Sequence, residues 1–129
     1  MYCLDTNIII AIFRGDKELA KKISGVDPDD ISLTEITLCE LFKGAYKSKQ
    51  KERSLELVHD FANNYKVLGL TLNSCEIFGK DFSILERMGK QTQEFDLLTS
   101  CIAKENDLVL VTRNEKHFEN IPDLKFEVW

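Results

Sequence analysis

Residues 5–7 are the first in the chain that could do chemistry. Asp5, Thr6 and Asn7 follow the short apolar segment YCL and precede three isoleucines. An aspartate in this place can cap the helix that the isoleucines begin, by accepting a hydrogen bond from a backbone N–H. It can also be a carboxylate of a functional site, if other parts of the chain bring partner side chains to it. The organisation of the whole chain decides between these two roles.

Several kinds of catalytic site are disfavoured by residue type and spacing. The four cysteines, at positions 3, 39, 75 and 101, form no CxxC pair, which argues against a zinc site. The two histidines, His59 and His117, are far apart and match no HxxxH pattern. Nothing indicates Ser–His or Cys–His nucleophilic catalysis. We expect the cysteines to be reduced and mostly buried, as small hydrophobic residues in a reducing compartment.

Size and composition predict one globular domain. The chain has 129 residues, of which 43% are hydrophobic and 30% charged. The longest apolar run, residues 8–13, is shorter than the ~20 residues of a membrane-spanning helix. No charged leader precedes it, so we expect a cytoplasmic protein with no membrane association. The net charge is −5, whereas nonspecific nucleic-acid binders are usually basic. An anionic ligand would therefore require a local basic patch or bound metal cations.

The elements that would position these residues alternate between strand and helix. Apolar runs predict strands at residues 2–5, 31–33, 67–70 and 108–112, and an edge strand at 126–129. Helical spacing and glycine stop signals predict helices at residues 7–13, 16–24, 37–47, 51–64, 74–87 and 96–105. Strands separated by one or two helices give an α/β fold, with a mainly parallel sheet covered on both faces.

A parallel sheet restricts where a site can form. Ligands bind at the carboxyl ends of the strands, near the point where the strand order reverses. This rule indicates Asp5, the start of the helix that follows Leu33, and the segment 112–114.

Four segments and their order resemble one known family. The segments LDTN (4–7), TEITLCELFKGA (34–45), EFDLLTSCIA (94–103) and LVTRNEKHF (110–118), followed by the ending DLKFEVW, are together similar to PIN-domain ribonucleases, specifically VapC-type toxins of toxin–antitoxin pairs. The resemblance covers nearly the whole chain. It implies a single PIN domain over residues 1–129, folded as a three-layer α/β/α sandwich.

The resemblance also implies an activity and its residues. It implies an endoribonuclease that depends on Mg²⁺ (or Mn²⁺), with Asp5, Glu40 and Asp96 as the acidic catalytic and metal-binding residues. The fourth acidic position of the family falls near Asn114, an amide here, which leaves the number of metal ions open. Lining the same pocket would be Thr6, Asn7 and Thr112. The implied partners are RNA, a VapB-type antitoxin and a second copy of the chain in a homodimer, with a larger heteromer when the antitoxin is bound.

Each acidic residue also has a purely structural interpretation. Thr37 and Glu40 have the spacing of a capping box, and so do Ser32 and Glu35, which makes Glu35 a competing acid. Asp96 could cap the helix that it opens. The other acids that could substitute for a missing carboxylate are Glu94, Glu115 and Glu119.

Basic residues give a second open choice. The run KGAYKSKQKER (43–53) is the densest basic stretch of the chain. Lys43 and Lys47, together with Arg113, are candidates for RNA phosphate contacts, as is His117. The alternative is an ordinary solvated surface. Apolar candidates for an antitoxin groove are Phe13, Leu41, Phe42 and Tyr46.

Other functions remain as alternatives. A dehalogenase-like phosphatase needs Asp-x-Asp, but its second acid is replaced here by Asn7. A response-regulator receiver needs adjacent early acids and a late lysine, and neither is present. More serious alternatives are a PIN domain that binds without cutting and an RNA-processing nuclease that has no antitoxin.

Overall fold

A five-stranded parallel sheet forms the centre of the molecule. The computed structural model describes all residues from Met1 to Trp129. The strands lie in the order β3-β2-β1-β4-β5, and every neighbouring pair is parallel. The strand order reverses between β1 and β4, which are adjacent in the sheet although they are far apart in sequence. The bounds are β1 Tyr2–Leu4, β2 Ile31–Thr34, β3 Lys66–Leu68, β4 Val109–Thr112 and β5 Phe126–Val128.

Seven helices connect these strands. They are α1 Thr6–Phe13, α2 Lys17–Ser24, α3 Glu35–Lys47, α4 Lys51–Asn63, α5 Leu72–Arg87, α6 Glu94–Glu105 and α7 Glu115–Phe118, with a 3-10 turn at Pro28–Asp30. None of these helices combines the length and the hydrophobicity needed to cross a lipid bilayer.

Two apolar cores cover opposite faces of the sheet. On β1, Leu4 packs with α1, α2, α3 and α4, whereas Cys3 packs with α5, α6 and α7. On β4, Val111 and Leu110 divide in the same way, because successive strand side chains point to opposite faces. The predicted α/β fold, with a parallel sheet between two helical layers, is therefore confirmed.

The helix starts correct several details of the sequence interpretation. Helix α3 begins at Glu35, and its cap is Thr34, whose Oγ1 accepts a hydrogen bond from the N–H of Thr37 at 3.1 Å. Thr37 lies inside the helix, so both predicted capping boxes are wrong. Hydrophobic spacing placed this start two residues too late because Glu35, at the first position, is exposed.

Other differences concern polar and sulfur side chains. Cys3 and Cys101 are buried, but Cys39 and Cys75 are exposed, which contradicts the expectation of mostly buried cysteines. Helix α7 and the 3-10 turn were not predicted, because neither is long enough to show an apolar period.

Between α5 and α6, Lys104 Nζ lies 2.7 Å from Asp81 Oδ2, and Asp81 is only 2% exposed.

Candidate active site

Asp5 lies at the carboxyl end of β1 and is held by β4. Its backbone N–H donates to the carbonyl of Val111 at 2.9 Å. Its Oδ2 accepts from the Thr112 hydroxyl at 2.8 Å, and its Oδ1 accepts from the Thr6 N–H at 2.8 Å. Asp5 therefore caps α1 and also belongs to a polar cluster between the two strands. The cap is confirmed, and the cluster supplies the neighbouring polar side chains that a functional role for Asp5 would require.

Glu40 reaches the same place from α3. The Thr6 hydroxyl donates to Glu40 Oε1 at 2.7 Å, and this hydroxyl is also 3.4 Å from that of Thr37. The competing Glu35 lies elsewhere, since a Cβ added to Gly69 would be 2.7 Å from Glu35 Oε2. Glu35 thus covers the backbone beyond β3, and Glu40 is the acid of α3 that faces Asp5.

Asp96 comes from the opposite helical layer. It lies in the first turn of α6 and is only 8% exposed. Its Oδ2 is buried and receives no well-directed hydrogen bond, although His117 Nδ1 lies 3.0 Å away. A buried carboxylate oxygen without a donor is costly, so it favours a partner from outside the chain.

These side chains surround one open pocket of about 540 Å³. It contains the three acids and six more of the predicted residues, and Thr112 lies fully buried behind Asp5. Arg113 is the exception: its guanidinium pairs with Asp16 Oδ2 at 2.5 Å and contacts the carbonyl of Trp129. The lining residues are Asp5, Thr6, Asn7, Ile10, Glu40, Lys43, Gly44, Lys47, Gln93, Phe95, Asp96, Asn114 and His117.

The carboxylates affect one another's protonation. The pKa of Asp5 is raised to about 6, chiefly by burial and also by the negative charges of Asp96 and Glu40, while the hydrogen bonds from Thr112 and Thr6 oppose the shift. Burial also raises the pKa of Asp96, which His117 lowers and Glu40 raises. A bound cation would relieve this repulsion.

The chain matches a known family over nearly its whole length. A model of the PIN domain matches residues 2–124. Ribonuclease VapC1 of Haemophilus influenzae is 34% identical over 131 aligned residues, covering 100% of this chain and 98% of the relative. The chain belongs to the VapC branch of the PIN-domain family.

Two further relatives agree with this assignment. The tRNA(fMet)-specific endonuclease VapC of Salmonella typhimurium is 30% identical, with 99% of this chain and 97% of the relative covered. The crystal structure of DNA-bound VapBC from Salmonella typhimurium matches with a TM-score of 0.93 at 30% identity, covering 99% of this chain and 97% of that one.

The pocket of this VapC-family chain suits a hard divalent cation in its donor types. It offers carboxylate oxygens, which Mg²⁺ and Mn²⁺ prefer, and a buried acceptor at Asp96 Oδ2 that lacks a donor. No three of the Asp, Glu, His and Cys side chains form a cage that would enclose an ion by themselves. Mg²⁺ usually keeps several waters and takes only one or two protein carboxylates, so an open set of ligands fits it.

The alternative acids lie outside the pocket. Glu94 lines a separate hollow with Phe82 and Gly89, and Glu115 and Glu119 are exposed on the surface. Asn114, at the start of α7, does line the pocket. His117 is the site residue whose position sequence reasoning missed: it was considered only as a contact to RNA phosphate. The one sequence feature that could have indicated its position is that it follows Asn114 by three residues, because one helical turn brings residues at this spacing close together.

A second groove of about 630 Å³ adjoins the pocket and shares Ile10, Glu40, Gly44 and Lys47 with it. Phe13 and Leu41 line this groove, as predicted for an antitoxin surface. Phe42 and Tyr46 do not: the Phe42 ring packs against His59 with centroids 5.0 Å apart, and Tyr46 is 66% exposed. Their helical spacing placed them on α3, but they lie on its other faces.

Proposed function

We propose that this protein is a metal-dependent endoribonuclease, the toxin of a type II toxin–antitoxin pair, and that it hydrolyses RNA phosphodiester bonds at the Asp5–Glu40–Asp96 pocket. The observation that carries the proposal is the convergence of these three carboxylates from β1, α3 and α6 on one open pocket. Relatives of matching length that are named ribonucleases support it.

Asp5 and Asp96 would hold the Mg²⁺ or Mn²⁺ ion. When bound, such an ion lowers the pKa of a coordinated water and stabilises the charge that develops on the phosphodiester. Thr112 orients Asp5 through its 2.8 Å hydrogen bond. It also keeps the carboxylate in one rotamer, because its own Oγ1 accepts the N–H of Asn114 at 3.0 Å.

Glu40 would accept the proton of the attacking water. Its Oε1 is occupied by the Thr6 hydroxyl, whereas its Oε2 makes no hydrogen bond within the chain. One oxygen therefore fixes the side chain, and the other is free to take a proton. We propose that Thr6 is a positioning residue that acts through Glu40.

RNA would enter along the basic wall of the pocket. Lys43 and Lys47 are one helical turn apart on α3 and line the pocket next to Glu40. Their ammonium groups offset the acids locally in a chain whose net charge is −5. Arg113 does not take part in this proposal, because Asp16 already neutralises it.

We further propose a VapB-type antitoxin as the partner, with the groove between α1, α3 and α4 as its seat. The groove combines the apolar Phe13 and Leu41 with the cations Arg14 and Arg53 and opens into the carboxylate pocket. An antitoxin segment seated there would reach the acids and block RNA. We also propose that the protein is cytoplasmic, that it forms a homodimer, and that it forms a larger heteromer with the antitoxin. Light scattering with and without antitoxin measures the two assembly sizes.

Cleavage of total RNA with mapped ends tests the activity, with initiator tRNA as the first defined substrate because one relative is named for it. Asp5→Asn and Asp96→Asn should each lower cleavage by at least about a hundredfold, because even residues that only support metal ligands are worth 10–100-fold. A chelator should abolish cleavage by the wild-type protein, and Mg²⁺ or Mn²⁺ should restore it.

Asp60→Asn is the matched control, because Asp60 is an exposed carboxylate on α4 outside both cavities. It should leave cleavage unchanged. RNA binding by the wild-type protein without any metal-dependent cleavage would contradict the enzyme proposal and favour a PIN domain that only binds.

A further inference from the structure

His117 and Asp96 form a mixed nitrogen and oxygen pair at the edge of the pocket. His117 Nδ1 lies 3.0 Å from Asp96 Oδ2, yet that oxygen receives no well-directed hydrogen bond. In a neutral imidazole one ring nitrogen carries the proton and the other is an acceptor, and with Nδ1 as the acceptor these two atoms, 3.0 Å apart, can bind one cation together. The imidazole is partly exposed and lines the pocket together with Asp5 and Glu40.

The position of His117 is fixed by the same polar chain that fixes Asp5. The Asn114 N–H donates to Thr112 Oγ1 at 3.0 Å, and the His117 N–H donates to the Asn114 carbonyl at 3.0 Å. The next residue, Phe118, is fully buried in the core beneath α7. The short helix is therefore anchored on both sides, and its imidazole is held over Asp96.

We propose that His117 is a ligand of the active-site cation, binding it through Nδ1 beside Asp96 Oδ2. This inference rests on the metal dependence proposed above and adds a donor of a different element to it. A nitrogen ligand places one borderline donor among hard carboxylate oxygens.

The consequence is a specific ion preference. Imidazole binds Mg²⁺ poorly and binds divalent transition metals progressively better along the series from Mn²⁺ to Cu²⁺. The site should therefore bind Mn²⁺ more tightly than Mg²⁺, and it should lose most of that difference when the nitrogen is removed. A His117 that only contacts RNA phosphate would leave the metal preference unchanged.

Pulsed electron paramagnetic resonance of Mn²⁺ bound to the full-length, metal-stripped chain tests the assignment directly. A coordinated imidazole gives a ¹⁴N modulation of the Mn²⁺ echo, which carboxylates and water do not give. The chain has only two histidines. The other, His59, is exposed on α4, where its ring packs against Phe42 of α3. His59→Gln is therefore the matched control.

We expect the ¹⁴N modulation in the wild-type protein and in His59→Gln, and its loss in His117→Gln and His117→Glu. By calorimetry, His117→Gln should bind Mn²⁺ about tenfold or more weakly, in the range of measured ligand-shell changes, while Mg²⁺ affinity changes less. His117→Glu, which supplies an oxygen, should bring the affinities for the two ions closer together.

Tight Mn²⁺ binding by the wild-type protein without ¹⁴N modulation, or modulation that persists in His117→Gln, would overturn the assignment and leave the carboxylate metal site in place. If the wild-type protein fails to bind Mn²⁺, and Asp5→Asn does not differ from it in calorimetry, the proposed metal dependence itself is overturned.

Discussion

Replacing Asp5 by asparagine should make the metal-free protein more stable at neutral pH while removing its activity. In the fold, burial and the neighbouring carboxylates raise the pKa of Asp5 from its ordinary value of 3.8 to about 6. Each tenfold change in proton affinity is worth about 1.4 kcal/mol, so ionised Asp5 costs the folded state about 3 kcal/mol. Asparagine avoids this cost because it carries no charge.

The hydrogen bonds of Asp5 reduce the expected gain. Asp5 accepts from Thr6 and from Thr112 through two different oxygens, whereas asparagine has one acceptor oxygen, so one bond worth about 1 kcal/mol is lost. The net stabilisation is then about 2 kcal/mol. For a chain of this length that corresponds to a rise in melting temperature of roughly 6–8 °C.

The pH dependence gives the sign of the effect. Well below pH 3.8, Asp5 is protonated in both the folded and the unfolded chain, so the charge costs nothing. Between pH 4 and 6 the folded state keeps a proton that the unfolded state has released, so the stability contribution falls as the pH rises. The full penalty is present above pH 6. At pH 4.5 about 1 kcal/mol of the penalty has developed, and the lost hydrogen bond offsets it. The advantage of Asp5→Asn should therefore be about 2 kcal/mol at pH 7 and close to zero at pH 4.5.

Thermal melting in chelator at pH 4.5 and 7, followed by circular dichroism, measures both values, with Asp60→Asn as the control for loss of one surface charge. Addition of Mn²⁺ at pH 7 should raise the melting temperature of the wild-type protein and not that of Asp5→Asn. A variant that melts at or below the wild-type temperature at pH 7 would refute the reasoning, as would a difference of equal size at both pH values.

Three other changes test neighbouring features. Thr112→Val should destabilise the protein by about 1–3 kcal/mol in chemical denaturation, because it leaves a buried carboxylate oxygen and the N–H of the following turn without a partner. Lys43→Ala with Lys47→Ala should weaken RNA binding and lower the slope of log affinity against log salt by nearly two, and an unchanged slope would assign these lysines to ordinary surface. Gly44→Ala should stabilise the chain by about 0.5–1 kcal/mol, and so should the control Gly79→Ala, because both glycines are helical and no atom lies within 4 Å of an added Cβ. Gly44→Leu should lower RNA cleavage whereas Gly79→Leu should not, since only Gly44 lines the pocket.

Much of the architecture could be predicted because the buried segments are long and regular. The strand at 109–112 overlaps the continuous apolar run of residues 108–111, and the helices at 51–63 and 94–105 repeat their apolar residues every turn. Asp5 could be placed because it directly follows a central strand. Helix starts were less certain, since Thr34 and Thr37 are equally good caps by residue type and only the fold selects Thr34.

The remaining site features depend on contacts between distant segments. The 3.0 Å approach of His117 to Asp96 joins the four-residue helix α7 to the first turn of α6, which precedes β4 in the chain. The buried Lys104–Asp81 pair looks in sequence like two ordinary surface charges. The exposure of Cys39 and Cys75 depends on which face of a helix is covered by a neighbour, and residue type alone carries no information on that.

The position of β1 between β2 and β4 has a consequence for folding kinetics. The hydrogen bond between Thr112 and Asp5 closes a loop of 107 residues, and the contacts of β1 with β4 are among the least local in the chain. Such non-local pairings form late and slow the folding of a domain. During synthesis, a chain extended only through α6 can pair β1 with β2 and β2 with β3, but it cannot complete its acidic pocket. The proposed nuclease site is thus among the last parts of the molecule to form, and translation products truncated before β4 would lack it.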